Sequence, residues 1–241
     1  MIPSSARLIR WLAVYTAIVI PLVTGLNLFS DDPHARAVAL MGFSLVVIWC
    51  LGFGLVSYFG RDRFKQFFDA VRLPWWVKFA VISIALAMLE EVVTTGLTNA
   101  APLFGSERGA AMITASTNYF EVVLLNSVWP VFVPWILAWT FLLSRYDFPP
   151  NHVFLLFGLL GTLAETTFGP AALISGFWFF VYGLMVYLPA YALPTRNTIP
   201  PRWYHYLLAM ALPFLFMIPW GLLYGLIING LLGFDLIAAT S

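Results

Sequence analysis

Long apolar runs separated by short polar connections dominate the chain, and this pattern predicts helices that cross a membrane. A lipid-spanning helix needs about 20 mainly apolar residues. Continuously apolar segments of this kind are found at 8–29, 36–60, 77–97, 119–143, 152–168, 171–194 and 203–229. We therefore predict an all-α, polytopic transmembrane helical bundle of about seven spans, with residues 1–241 forming a single integral membrane domain.

The connection between segments five and six is short and contains Gly169-Pro170. Glycine and proline interrupt helices, since glycine adopts unusual backbone conformations and proline lacks the backbone N–H. We expect these two segments to form a tight helical hairpin or a broken helix.

The basic residues predict the orientation of the bundle, because Lys and Arg near helix ends are concentrated on the cytoplasmic side. With the N-terminus inside, only Arg36 and Arg108 of the 12 Lys and Arg residues fall on the outer side. The inner side collects Arg7, Arg10, Arg61, Arg63, Lys65, Arg72, Lys78, Arg145, Arg196 and Arg202. This asymmetry predicts an N-in/C-out topology.

A polar stretch between the second and third segments has the spacing of an amphipathic helix. Apolar residues at i, i+3, i+4 and i+7 lie on one helix face, and charged residues cover the rest. We predict a separate helix over 61–73 that lies in the inner membrane interface. The side chains expected at that interface are Phe64, Phe67, Phe68, Trp75 and Trp76.

Composition agrees with a membrane protein and excludes a water-soluble one. The chain is 61% hydrophobic and only 10% charged, whereas soluble domains carry about 25% charged residues. The net charge of +1 gives no field that would attract nucleic acid. We expect a multi-pass protein of the cell membrane whose partners are membrane lipids and, in addition, a small-molecule, lipid or ion ligand.

Four glutamates interrupt the apolar segments: Glu90, Glu91, Glu121 and Glu165. A carboxylate within a membrane is costly, so it normally faces the interior of a bundle and marks a functional path. Under the predicted topology all four lie in the outer half of the membrane.

Polar and small neighbours accompany these glutamates on the same helix faces. Glu91 shares a stripe with three threonines spaced three or four residues apart, and on the fifth segment Gly158, Gly161 and Thr162 share a face with Glu165. Small residues allow another helix to approach closely. The candidate substrate- or ion-binding residues are Glu90, Glu91, Thr95, Asn118, Glu121 and Glu165.

Such carboxyl groups suit a proton donor, a proton relay or a site for a hard cation, which prefers oxygen ligands. A zinc site needs imidazole or thiolate ligands. Of the three histidines only His34 falls on the outer side, while His152 and His205 fall on the inner side. We therefore predict no zinc centre and no cofactor.

Three functions remain open from the sequence. The first is a small transporter or a proton- or cation-linked binding protein that uses the carboxyl groups. The second is a cofactor-independent membrane enzyme acting on a lipid or isoprenoid, with a glutamate as general acid. The third is a structural or assembly subunit, which we expect if the glutamates point apart.

Overall fold

The computed structural model describes residues 4–169, 171–194 and 198–232, and this part of the chain folds into helices and loops without a β-strand. The prediction of an all-α fold is confirmed. Pro170, Arg196 and the C-terminal residues that follow 232 lie outside the described residues. In chain order the helices are α1 (Ser4–Asn27), α2 (Pro33–Ala70), α3 (Trp75–Asn99), α4 (Tyr119–Arg145), α5 (Pro150–Glu165), α6 (Ala171–Ser175), α7 (Trp178–Tyr191) and α8 (Trp203–Leu232).

Among these helices, α1, α2, α4 and α8 are long and apolar enough to cross a membrane. Helix α3 has 25 residues and carries Glu90 and Glu91 near its middle, whereas α5 and α7 have only 16 and 14 residues. These apolar helices are compatible with a membrane protein. The count of seven spans and the N-in/C-out orientation stay predictions. We call the side of the bundle where α1 begins the inner side and the side where it ends the outer side.

The amphipathic segment does not form the separate helix predicted over 61–73. It continues α2, which runs from Pro33 to Ala70 through π-helical turns at Val46–Phe53. No proline interrupts this stretch, so nothing breaks the hydrogen-bond ladder until Val71 turns extended. At 38 residues the helix is about 57 Å long, far more than the hydrocarbon core of about 30 Å. Its inner part therefore extends beyond the core.

Segments five and six form a hairpin, which is one of the two predicted outcomes, and segment six is itself interrupted, which the sequence analysis did not predict. The short helix α6 ends before Gly176, whose φ of 71° is a left-handed conformation that favours glycine, and α7 begins at Trp178. Together α5, α6 and α7 make a compact hairpin.

Glycines bring α5 and α7 into close contact, as the small-residue face of the fifth segment predicts. A Cβ atom added at Gly158 would lie 2.5 Å from the backbone oxygen of Phe179, and one at Gly161 would overlap the ring of Tyr182. On the other helix, a Cβ atom at Gly183 would lie 2.6 Å from the ring of Phe154. The two helices can pack at this distance only because these positions lack side chains.

Both ends of the hairpin lie on the inner side of the bundle. At the start of α5, His152 Nδ1 is 2.7 Å from the hydroxyl of Tyr206, which belongs to the first turn of α8. At the end of α7, the Tyr191 hydroxyl donates to Asp62 in the inner part of α2, at 2.7 Å.

The turn of the hairpin reaches the middle of α1 rather than its outer end. The Tyr15 hydroxyl donates to the carbonyl of Ile174 at 2.6 Å, and the backbone of Gly176 lies directly against Tyr15 and Thr16. Helix α2 holds the start of α7, since the indole N–H of Trp49 donates to the carbonyl of Val181 at 3.0 Å.

Candidate functional site

Helix α3 carries the first part of the site on its buried face. Glu90, Glu91, Thr94, Thr95 and Thr98 are all buried, with at most 5% of each side chain exposed. Their spacing of three or four residues places Glu91, Thr94, Thr95 and Thr98 on one side of the helix. The predicted polar stripe is therefore turned into the bundle.

Hydroxyl groups from three segments surround Glu91. Its Oε2 atom accepts hydrogen bonds from the Thr94 hydroxyl at 3.1 Å and from the Thr114 hydroxyl at 3.3 Å, and Ser127 is close enough to interact with the same carboxyl group. Thr114 belongs to the outer loop that connects α3 to α4, and Ser127 stands between two π-helical turns of α4. Glu91 thus links α3 to the outer loop.

Glu165 is the last residue of α5 and is paired with a tyrosine of α7. The Tyr182 hydroxyl donates to Glu165 Oε1. The Tyr182 ring lies over Gly161 and is flanked by the rings of Phe132 and Trp178, with centroid distances of 5.7 and 5.8 Å. The glycine of α5 therefore makes room for the group that binds the carboxylate of the same helix.

Three of the four predicted glutamates lie near enough to interact electrostatically. Glu90 interacts electrostatically with Glu91 and with Glu165, and Glu165 interacts with Glu91. The hydroxyl of Tyr182 interacts with all three. We call Glu90, Glu91 and Glu165 the carboxyl cluster.

Two side chains of the site lack the hydrogen-bond partners that buried polar groups normally have. The Glu90 side chain is only 4% exposed, and its carboxyl group hydrogen-bonds to no other described residue. The Thr95 hydroxyl is also buried without a partner. An unpaired buried polar group costs free energy.

Asn118 and Glu121 lie apart from the carboxyl cluster, at the outer end of α4. Asn118 caps that helix, since its side-chain oxygen accepts from the backbone N–H of Phe120 at 3.0 Å. Glu121 is exposed and accepts a hydrogen bond from the Ser116 hydroxyl at 2.8 Å. A carboxylate is favourable in the first turn of a helix, and Glu121 occupies such a position.

The residues predicted for the inner interface differ in exposure. Phe67 and Trp76 are 60% and 54% exposed, Phe64 and Trp75 are half-buried, and Phe68 is fully buried. Lys78 covers Phe68, with its Nζ atom 4.3 Å from the ring centroid, and donates to the carbonyls of Phe68 and Val71 at the end of α2. Phe68 therefore belongs to the packing between α2 and α3.

Tyr182, Thr114 and Ser127 are the site residues that the sequence analysis missed. A tyrosine in the middle of an apolar segment is itself a signal, because its buried hydroxyl needs a partner. Thr114 gives no such signal, since a threonine in a polar loop is ordinary and only the folding of the loop onto α3 brings it to Glu91.

Within the described part of the chain, no three His, Cys, Asp or Glu side chains are arranged so that they could hold one metal ion. The carboxyl cluster offers instead three carboxyl groups, of which Glu91 and Glu165 accept hydrogen bonds from hydroxyl groups. Carboxyl groups can bind and release protons. No protein-family model, curated protein or solved structure matches this chain.

Proposed function

We propose that this chain is a small multi-pass protein of the cell membrane, oriented N-in/C-out and surrounded by lipid, in which the carboxyl cluster binds protons and passes them across the membrane. The observation that carries the proposal is the Glu90 side chain, which is 4% exposed, accepts no hydrogen bond from the described residues at its carboxyl group, and interacts electrostatically with Glu91 and Glu165. Ionisable residues inside membrane helices mark ion and proton pathways.

The charges around the cluster favour protons as its ligands. Among the described residues Lys65 forms an ion pair with Asp69 on the inner part of α2, and no basic side chain pairs with the cluster. Three unneutralised carboxylates in an apolar interior would be very costly. Protons remove this charge without requiring the ligand geometry of a metal ion.

The two other functions considered from the sequence receive less support. An enzyme acting on a lipid needs an apolar cavity that ends at a carboxyl group. The open apolar groove between α4 and α8 is lined by Pro134, Leu137, Phe216, Pro219, Trp220 and Leu223, with no carboxyl group among them. A purely structural subunit is expected to have glutamates that point apart, whereas the three of the cluster interact with one another.

Carbodiimide labelling tests proton binding directly. Dicyclohexylcarbodiimide adds to a protonated carboxyl group in apolar surroundings to give a stable N-acylurea. We expect mass spectrometry of the full-length protein to locate the adduct on the carboxyl cluster, with labelling that decreases as the pH rises. Glu107 and Glu121, which are exposed, are internal controls and should stay unlabelled.

Proton movement tests the link to transport. In proteoliposomes that enclose a pH-sensitive dye, a potassium diffusion potential should drive acidification that the carbodiimide blocks. Glu90→Gln should slow it by about tenfold or more, as expected for the loss of a proton-transfer group, while the matched variant Glu121→Gln should match the unmodified protein. Equal acidification with Glu90→Gln, or none with the unmodified protein, contradicts the proposal.

A further inference from the structure

The loop that joins α3 to α4, residues 100–118, lies against the polar stripe of α3, and we call it the outer loop. The backbone N–H of Ile113 donates to the Thr98 hydroxyl at 3.2 Å, and the Thr114 hydroxyl donates to Glu91 at 3.3 Å. Thr98 and Glu91 are seven residues apart, or about 10 Å along the axis of α3. The outer loop therefore follows α3 inward from the end of the helix to the carboxyl cluster.

Contacts with the start of α2 place the outer loop on the outer side of the bundle. His34 Nδ1 is 2.7 Å from the hydroxyl oxygen of Ser106, and His34 belongs to the first turn of α2. Ala111 of the loop is buried in a small apolar cluster together with Met41 of α2. Because α2 begins on the outer side, the loop covers Glu91 from that side, and only 5% of the Glu91 side chain is exposed.

One side chain at the end of α3, Asn99, binds two separate parts of the outer loop. Its amide group donates to the carbonyl of Thr117 at 2.8 Å and to the carbonyl of Thr95, one turn earlier in α3, at 2.9 Å. Its oxygen accepts a hydrogen bond from Arg108 Nε at 2.8 Å. An asparagine side chain has two N–H donors and one acceptor oxygen. All of these groups are used, and they join α3 to both parts of the loop.

The second part of the outer loop is held by side chains rather than by a backbone ladder. Among the described residues, the backbone groups of 113–117 form no hydrogen bond with another backbone group. The side chains of 112–118 are exposed or half-buried. Segments with few buried contacts open at a low free-energy cost. The loop can therefore leave α3 when a few side-chain hydrogen bonds break, while the helices around it stay folded.

We propose that the outer loop is a lid over the carboxyl cluster, and that Asn99 is the positioning residue that keeps this lid closed. While the hydrogen bonds of Asn99 are intact, Thr114 stays on Glu91 and separates it from the outer medium. When the loop leaves α3, Glu91 loses this bond and water reaches its carboxyl group. The use of the lid as the outer gate for protons rests on the proposed function, whereas the lid itself does not.

Labelling of Glu91 from water tests the lid in the full-length protein. A water-soluble carbodiimide with glycine methyl ester converts an accessible carboxyl group into an amide, and mass spectrometry gives the rate at each position. Asp31, which is exposed and lies outside the loop, should react fast and Glu91 slowly. Asn99→Ala should raise the rate at Glu91 at least about fivefold, because the loss of hydrogen bonds shifts a local opening equilibrium by this order. The rate at Asp31 should stay unchanged.

Two threonine variants separate the lid contact from a general effect of changes in the loop. Thr114→Val removes the hydroxyl that binds Glu91 and should also speed the labelling of Glu91. Thr117 binds Asn99 only through its carbonyl, so Thr117→Val should leave the rate unchanged. Unchanged labelling of Glu91 in both Asn99→Ala and Thr114→Val overturns the proposal, and so does an equal increase in Thr117→Val.

A crosslink distinguishes a lid from a residue that only stabilises the fold. In a Cys50→Ser background, which removes the chain's one cysteine, Thr98→Cys and Ile113→Cys are joined by a short bifunctional methanethiosulfonate. In the presence of Asn99→Ala this crosslink should return the labelling of Glu91 to the slow rate, and reduction should restore the fast rate. Ile113→Cys alone, treated in the same way, should stay fast. Fast labelling of the crosslinked protein would mean that water reaches Glu91 by another route, and the lid would be wrong.

Acidification of proteoliposomes tests the role of the lid as a gate and keeps the two proposals apart. The crosslink between α3 and the loop should slow acidification by about tenfold or more until it is reduced, as for other lids that gate a reaction. If the crosslinked protein acidifies at the normal rate while Glu90→Gln still slows it, the proton function stands and the gate is contradicted. If the unmodified protein shows no carbodiimide-sensitive acidification, the proton function is contradicted, and the labelling rates of Glu91 still decide whether the lid exists.

Discussion

The hairpin and the peripheral helices α1 and α8 are built from similarly apolar sequence but have opposite surroundings. In α7, nine of 14 residues are buried, and α5 meets it through glycines. In the apolar windows of α1 and α8 only 17% of residues are buried. The hairpin is therefore held by protein contacts on nearly all sides, whereas α1 and α8 leave most of their surface for lipid.

This difference explains where the functional groups are found. Lipid offers no hydrogen bonds and cannot stabilise a carboxyl group, so glutamates are tolerated only against the buried region. Glu165 ends α5, and Glu90 and Glu91 lie on the buried face of α3. The outer faces of α1 and α8 have no role in this site and are free to vary among apolar residues.

The largest expected effect follows from adding a methyl group in the buried region. Gly161→Ala would force Cβ into the ring of Tyr182, and overpacking of this severity costs about 3 kcal/mol or more. It should also displace Tyr182 from Glu165. The shift of the unfolding transition in mixed micelles with increasing SDS measures the change in the free energy of unfolding.

Gly225→Ala in α8 is the matched control, because no atom lies within 4 Å of the added Cβ. It should leave stability unchanged or raise it by up to about 1 kcal/mol, the difference in helix propensity between glycine and alanine. Equal destabilisation by the two substitutions would mean that the close contact between α5 and α7 does not exist in the membrane.

A smaller loss is expected for the hydrogen bond that holds α7 against α2. Trp49→Phe removes the N–H that donates to the carbonyl of Val181 and leaves space at a side chain that is 1% exposed. The lost packing and hydrogen bond together cost roughly 1–3 kcal/mol. The same SDS titration measures this loss.

Trp11→Phe is the control, at a position that is 72% exposed. Its free energy of unfolding should lie within about 0.5 kcal/mol of that of the parent protein. An effect as large as that of Trp49→Phe would remove the distinction between the two regions.

The features that the sequence predicts well depend on local pattern. Apolar runs predict helices, because the length and composition of a segment are enough to identify a helix of this kind. The glycine face of α5 predicts close packing, because a helix face without side chains allows any neighbouring helix to approach closely, whichever helix that is. The polar stripe of α3 likewise predicts its buried face, since glutamates and threonines have no place against lipid.

The features that it predicts poorly depend on tertiary contacts. Residues 61–70 have the pattern of an interfacial helix, but the same pattern fits the end of a long helix, and only the packing of Phe68 under Lys78 distinguishes them. In the sequence, Glu121 and Glu165 are both glutamates within an apolar segment. In the structure, Glu121 lies at an exposed helix start, whereas Glu165 accepts a hydrogen bond from Tyr182.

The contact that joins the two regions should have the smallest effect on stability. Tyr15→Phe removes only the hydroxyl that donates to Ile174, on a side chain that is 41% exposed, so the free energy of unfolding should fall by about 0.5–1.5 kcal/mol.

The local effect of Tyr15→Phe is more informative. Without this bond the turn of the hairpin is held to α1 by packing alone, and amide hydrogen exchange between Thr166 and Phe177 should become faster while exchange in α7 stays unchanged. Tyr58→Phe is the control, since Tyr58 is 54% exposed and its ring, not its hydroxyl, contacts Arg61. If Tyr15→Phe changes exchange throughout α7, the turn and the helix open as one unit. If exchange changes in neither the turn nor α7, the Tyr15 hydroxyl does not hold the turn against α1, and the hairpin is anchored by its own glycine contacts.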